Sequence, residues 1–308
     1  MRIISAQQVH QALTPREAVH VLRETLTHFD PADDGTRQSE HLAGGGDLLM
    51  MPASFEHVAG IKILTMNPRA NELNVPMIQG QFMLFDGRTL SPQALLDGEV
   101  ITSLRTPALS LAGVFQYLNE AIEPLRVVIF GTGPQGRHHL ETIESCLGDQ
   151  REIRATFLSR SQPDDLPNWC QVGSAQAHQA LAEAELIICA TSAQTPILDR
   201  EHVRNDAVIV ALGSHTPTAR ELSGELMGAA QVILEDPATA ARECGDMVLA
   251  VEEGHLSFDD AVTLKDVVTG AKVLHRNAPI VFKFSGMGWE DLAIADAIYQ
   301  KIEGGSAH

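Results

Sequence analysis

Three glycines in VVIFGTGPQGRHHLETI (residues 127–143), Gly131, Gly133 and Gly136, have the G-x-G-x-x-G spacing that suits the phosphates of a dinucleotide. They follow a β-branched apolar run and open a segment of helical character. In that position glycine permits a tight turn and close backbone approach to a pyrophosphate, and the helix N-terminus favours the negative charge. A strand-to-helix turn without a ligand is the plainer alternative, and the strand–helix alternation that follows tells against it. The end of the next strand selects the nucleotide. There FLSRSQ offers Ser159, Arg160 and Ser161, with no acid before Asp164. Hydroxyls and a guanidinium suit the 2′-phosphate of NADP better than the ribose diol of NAD. NADPH is therefore the expected cofactor, with NADH possible.

A nicotinamide needs a partner to reduce or oxidise, and three cations upstream are candidates to hold one. Lys62 lies between Ile61 and Ile63 in GIKILTM. An unpaired buried ammonium is costly, so Lys62 either faces solvent on the alternate side of a strand or meets an anion. Arg105, in SLRTPALS, reads as lying at a helix start, where the macrodipole disfavours a cation unless an anionic ligand shares the place. Arg37, in GTRQSEH, has the local pattern of a surface loop residue.

The elements that must position these residues fall into two groups. TPREAVHVLRETLTHFD predicts a helix with Thr14 as N-cap, Pro15 at its first position, and Val19, Leu22 and Leu26 on one face. HLAGGGDLLMMPAS and GIKILTMNP read as strands, and DGRTLSP as the turn of a later hairpin. VITSLRTPALSLAGVFQYL has helical spacing, with Pro107 expected in the first turn or at a break. These elements make residues 1–115 an α+β unit. From Arg126 the strands RVVIFGTG, EIRATFLSR, LIICAT, HVRNDAVIVALG and QVILED alternate with helical segments, the mark of a doubly wound parallel sheet. WEDLAIADAIYQKI places Leu292, Ala295 and Ile298 on one face of a final amphipathic helix. The expected division is 1–115 and 116–288, with a C-terminal helix over 289–308 returning to the first unit.

Composition narrows the partners. The 308 residues carry 22 basic and 40 acidic side chains, a net charge of −18, which argues against binding a nucleic-acid backbone. It leaves room for a small anion in one locally basic pocket. The cysteines at 146, 170, 189 and 244 form no CxxC pair, which tells against a zinc site and points to reduced thiols. No apolar run approaches a membrane span and the N-terminus has no signal-peptide core, so a cytoplasmic protein is expected.

Taken together, LLMMPAS, GIKILTMNP, ALLDGEVITSLRTPALS, VVIFGTGPQGRHHLETI and ALGSHTPTAREL resemble the ornithine cyclodeaminase/mu-crystallin family, in order and spacing, over most of residues 37–222. The resemblance implies a Rossmann-type domain plus an α+β domain that binds substrate and forms a homodimer through its sheet. It implies that Arg37, Lys62 and Arg105 hold the carboxylate of a small α-amino or α-imino acid, with Lys62 close to the chemistry. It also implies cofactor contacts from Thr106, Thr132, Pro134, Gln135, Thr191 and Gly213. One departure matters. The deaminating members carry an aspartate in a GGDCPGK-like segment, where this chain has GSHTPTA and places His215. Deamination thereby loses its base, while His215 remains able to move a proton or merely to cap the loop.

The resemblance and this departure together imply NAD(P)H-dependent reduction of a cyclic α-imino acid. Δ1-Pyrroline-2-carboxylate, giving L-proline, is the first expectation, and Δ1-piperideine-2-carboxylate, giving L-pipecolate, the second. The competing expectations are ornithine cyclodeaminase activity, an alanine or N-alkyl amino acid dehydrogenase, and a crystallin-like protein that binds NADPH without turnover.

Overall fold

The computed structural model describes residues 1–118 and 123–305. The expected C-terminal helix therefore has its last three residues outside the described ones. In chain order the first elements are β1 (Arg2–Ile4), α1 (Ala6–Ala12), α2 (Pro15–His28), β2 (Gln38–His41), β3 (Asp47–Ser54) and β4 (Val58–Met66). Next come α3 (Ala70–Leu73), β5 (Ile78–Asp86), β6 (Pro92–Asp97), α4 (Gly98–Val114), β7 (Leu125–Phe130), α5 (Pro134–Leu147), β8 (Ile153–Ser159) and β9 (Trp169–Gln171). They are followed by α6 (Ala175–Glu183), β10 (Leu186–Cys189), β11 (Val208–Ala211), α7 (Gly224–Ala229), β12 (Gln231–Leu234) and α8 (Pro237–Glu243). The last are α9 (Gly245–Glu252), β13 (Val262–Thr263), α10 (Leu264–Thr269), β14 (Ile280–Lys283) and α11 (Gly288–Gly305).

The chain divides into two compact units, residues 1–109 with 286–308, and residues 110–285. The first division falls inside α4 because the last turn of that helix packs with the second unit. Ser110 Oγ lies 2.8 Å from His139 Nε2, and Gly113 lies so close to the Phe282 ring that a Cβ would come within 2.7 Å of it.

Unit 1 is a six-stranded sheet in the order β1-β6-β5-β4-β3-β2, antiparallel except for the β1–β6 pair. Helices α2 and α11 cover one face, and Leu22, Leu26, Met51, Phe82, Leu292 and Ile298 form part of the core between them. Helix α2 starts where its residues dictate, with the Thr14 and Glu17 side chains capping each other's backbone N–H and Pro15 at the first turn. β4 alternates from Val58 to Leu64, and of the two sides open to Lys62 it takes the covered one, with Ile63 exposed. Pro107 neither opens nor breaks α4, which runs unbroken from Gly98 to Val114. Arg105 is accordingly two turns inside the helix rather than at its start, so the macrodipole is not what makes it notable.

Unit 2 is an eight-stranded parallel sheet in the order β13-β12-β14-β11-β10-β7-β8-β9. The residues of β10, β11 and β14 are buried throughout, as are the last four of β7, the pattern of strands covered on both faces. β11 is shorter than HVRNDAVIVALG suggests, because Arg200–His202 forms a 3-10 turn. The chain goes outward from β7 to β8 and β9, then returns to β10 on the other side. The reversal between β7 and β10 creates the crevice at the C-terminal strand ends where doubly wound sheets bind ligands.

Candidate active site

Lys62 is placed by register. Its cross-strand neighbours are Met51 on β3 and Phe82 on β5, and all three side chains are buried. The ammonium there meets an anion: Nζ donates to Asp291 Oδ2 at 2.6 Å and to Thr102 Oγ1 at 3.3 Å. An ammonium has three donors, so one remains for a ligand. Burial lowers the Lys62 pKa to about 8, with Asp291 opposing the shift and Arg105 adding to it.

Arg105 lies one turn along α4 from Thr102. Its Nη1 donates to Glu290 Oε2 at 2.6 Å and its Nε to Asp291 Oδ1 at 3.3 Å. Gly286, at φ +85°, passes so close that a Cβ would lie 2.6 Å from Arg105 Nη1. The carbonyl of the same glycine accepts from Arg37 Nη2 at 2.5 Å. Asp291 thus joins Lys62 to Arg105, and Gly286 joins Arg105 to Arg37. The three cations singled out from sequence come together.

What sequence reasoning missed is the set of acids between them. Glu290 and Asp291 are fully buried in the first turn of α11, where the helix dipole favours anions. Asp34 Oδ2 accepts from Trp289 N at 2.9 Å, so a third acid caps the same helix end. Burial, with Glu290 adding to it, raises the Asp34 pKa to about 7, and its Oδ1 is buried without a hydrogen-bond partner among the described residues. The WED run at the head of an amphipathic helix carried the signal, but acids in a first turn are more often solvated caps.

In unit 2, Gly131 directly follows β7 with φ +103°, and a Cβ on it would lie 2.4 Å from the Ala190 carbonyl oxygen. A Cβ at Gly136 would meet Gly131 O at 2.2 Å, whereas Gly133 faces open space and heads α5 without a side-chain cap. Pro134 occupies the first turn of α5, and Gln135 Oε1 is buried without a hydrogen-bond partner among the described residues. The turn therefore combines an uncapped helix end, room beside Thr132 and Gly133, and an orphaned acceptor. At the end of β8, Ser159 Oγ donates to Ser161 O at 2.6 Å and accepts from Trp169 Nε1 at 2.8 Å. Its proton orders the loop and is spent. Arg160 is exposed and forms no hydrogen bond or ion pair among the described residues. Arg137, on the first turn of α5, donates to Thr132 O and grips both oxygens of Asp165 at 2.7 and 2.8 Å. Sequence reading passed over that guanidinium.

Thr106 is buried on α4, next to Arg105. Thr191 and Gly213 lie just beyond β10 and β11, and both give backbone N–H groups to Glu221. His215 is exposed in the loop after β11, and it and the three cations belong to different units. All four thiols are free, and the described residues contain no group of three or more His, Cys, Asp or Glu side chains arranged to hold a metal ion. No described helix is long and apolar enough to cross a membrane.

Comparison with known proteins adds the lineage. The chain is 30% identical over 260 residues to Delta(1)-pyrroline-2-carboxylate reductase 2 of Burkholderia ambifaria, covering 82% of this chain and 79% of that protein. It is 29% identical over 261 residues to a Delta(1)-pyrroline-2-carboxylate/Delta(1)-piperideine-2-carboxylate reductase of Azospirillum brasilense, with the same coverage of 82% and 79%. Its fold matches that of the Thermococcus litoralis Delta(1)-pyrroline-2-carboxylate reductase, solved with NADH and L-proline, at a TM-score of 0.83 and 22% identity over 99% and 98% of the two chains. A model of the ornithine cyclodeaminase/mu-crystallin family matches residues 2–306. The chain belongs to the ornithine cyclodeaminase/mu-crystallin family.

Proposed function

We propose that the protein reduces a cyclic α-imino acid with NAD(P)H, Δ1-pyrroline-2-carboxylate to L-proline first and Δ1-piperideine-2-carboxylate to L-pipecolate second. The observation that carries the reading is the spare donor of a buried Lys62 beside Arg105, in a chain whose curated relatives are reductases of these imines.

The residues divide the work. Lys62, Arg105 and Arg37 hold the substrate carboxylate, with Glu290 and Asp291 keeping the cations in place and moderating their charge. Orientation supplies much of the rate, because hydride transfer needs C2 of the imine held in one position. The protonated imine accepts the hydride and becomes the amine, so no further proton is required at that carbon. His215 or a water keeps the imine nitrogen protonated near neutral pH. The bound nicotinamide supplies the hydride. Gly131, Thr132, Gly133, Pro134, Gln135 and Gly136 cradle its pyrophosphate, and Arg160 meets the 2′-phosphate of NADPH. The orphaned Gln135 Oε1 and the uncapped start of α5 fit such a group. Thr106, Thr191 and Gly213 line the cofactor's place.

The same reading makes the protein a cytoplasmic homodimer built through the sheet of unit 1, whose open face carries the incompletely buried Met50, Ile61, Ile63 and Met83. His215, standing where deaminating relatives have an acid, weighs against ornithine cyclodeamination. The test offers NADPH or NADH with pyrroline-2-carboxylate, piperideine-2-carboxylate or pyruvate plus ammonia, following cofactor absorbance. A parallel assay offers ornithine with NAD and follows ammonia. Cofactor oxidation with the cyclic imines and no ammonia from ornithine is the expected result.

A further inference from the structure

We infer that Glu221 is a positioning residue of the dinucleotide cradle, a single carboxylate that ties together the turns after β10 and β11. The side chain is fully buried. Oε1 accepts from Thr191 N at 2.8 Å and from Thr191 Oγ1 at 2.7 Å, and Oε2 accepts from Gly213 N at 2.8 Å. Three donors converge on two oxygens. An ionised carboxylate satisfies all of them, whereas an amide in its place points a donor at one of them.

The turns it joins have no slack. A Cβ on Gly213 would come within 2.0 Å of Thr191 O, and one on Gly131 within 2.4 Å of Ala190 O. The first glycine of the cradle therefore rests on the residue before Thr191, and Thr191 is set by Glu221. Thr191 and Gly213 spend these N–H groups on Glu221, so their role toward a ligand is to fix the crevice floor rather than to donate from those atoms.

Glu221 is itself held. Asp246 Oδ1 accepts from the backbone N–H groups of Glu221 and Leu222 at 2.7 and 2.8 Å. Lys283 Nζ lies 3.0 Å from Asp246 Oδ2 and donates to Ser214 O at 2.7 Å. A buried lysine in the central strand β14 thus anchors the acid that anchors Glu221. A carboxylate kept at 0% exposure costs desolvation energy, which the three donors and Lys283 offset.

The inference rests on unit 2 binding NAD(P)H, and the experiment separates the two. NADPH affinity is measured by its fluorescence on the full-length wild-type protein and on Glu221→Gln, Glu221→Asp and Thr191→Val. Thermal melting of each protein without cofactor and the KM for the imino acid at saturating NADPH are recorded alongside. Glu221→Gln should weaken NADPH binding about tenfold or more, a loss on the scale of a hydrogen bond to a charged group. Glu221→Asp should recover part of it, and the imino-acid KM should stay within about twofold of wild type. If Glu221→Gln does not fold, Thr191→Val, which removes the hydroxyl that donates to Glu221 and accepts from Ala193 N, should still weaken NADPH binding severalfold. Wild-type NADPH affinity in a variant with a lowered melting temperature would mean a purely structural acid and overturn the inference. A wild-type protein that binds neither NADPH nor NADH overturns the cofactor reading and this inference with it.

Discussion

Lys62 Nζ lies 2.6 Å from Asp291 Oδ2, with both side chains removed from solvent. An ion pair of this kind stabilises little relative to apolar residues of the same shape, but removing one partner strands a buried charge. Asp291→Asn should therefore destabilise the protein by about 3–5 kcal/mol. The double variant Lys62→Met/Asp291→Asn should cost less than the sum of the single changes, with a coupling of about 1–3 kcal/mol in denaturant titrations. Additive losses would mean that Arg105 alone balances Asp291.

The same pair gives substrate binding a pH limit. Lys62 loses its proton at about pH 8, and the neutral amine no longer attracts a carboxylate. Binding of a carboxylate that does not titrate in this range, such as cyclopentanecarboxylate, should be flat from pH 6 to 7.5 and weaken above about pH 8. Inhibition constants against the imino acid read this directly. A profile level to pH 10 would place the carboxylate away from Lys62.

Asp34 should make stability fall as pH rises. The folded chain holds its proton up to about pH 7, against 3.8 for an ordinary aspartate. Between those values the folded state binds more protons, so this contribution is complete below 3.8 and is lost as pH rises to about 7. Asp34→Asn removes that loss. Relative to wild type its melting temperature should rise between pH 4 and pH 8, by about 2–4 °C for each kcal/mol involved. A difference between the two proteins that does not change with pH would show that folding does not raise the Asp34 titration into this range.

Cofactor preference should answer to Arg160 and to the Arg137–Asp165 pair. Arg160→Ala should raise the KM for NADPH and leave that for NADH nearly unchanged. Asp165→Asn frees the Arg137 guanidinium beside the glycine turn, so NADPH affinity should rise severalfold and NADH affinity much less. Asp165 and Arg137 are surface groups, so the fold should tolerate the change. Equal effects on both cofactors would rule out a 2′-phosphate contact.

Much of the fold was legible in residue pattern, and the misses have identifiable causes. The cap and proline at Thr14 and Pro15, the β-branched runs of unit 2 and the Gly131 turn are local signals, and local signals survive without the rest of the chain. For Lys62 the pattern supplied the alternation but not the side, because Ile61 and Ile63 make either face of β4 look apolar. Arg105 was put at a helix start because Pro107 resembles a first-turn proline, yet α4 begins at Gly98. β14 was missed because Lys283 interrupts IVFKF, and that lysine is buried for a partner, Asp246, 37 positions earlier in the chain. Glu221, Glu290 and Asp291 act across long sequence separations, and one chain shows no trace of such contacts.

The central claim is that this chain reduces cyclic imino acids. Its most direct test is the steady-state oxidation of NADPH and NADH by the full-length protein with Δ1-pyrroline-2-carboxylate, beside ammonia release from L-ornithine with NAD. We predict cofactor oxidation with L-proline as product, lost in Lys62→Ala and Arg105→Ala proteins that still bind the cofactor. Ammonia release from ornithine with no turnover of either cyclic imine would contradict it.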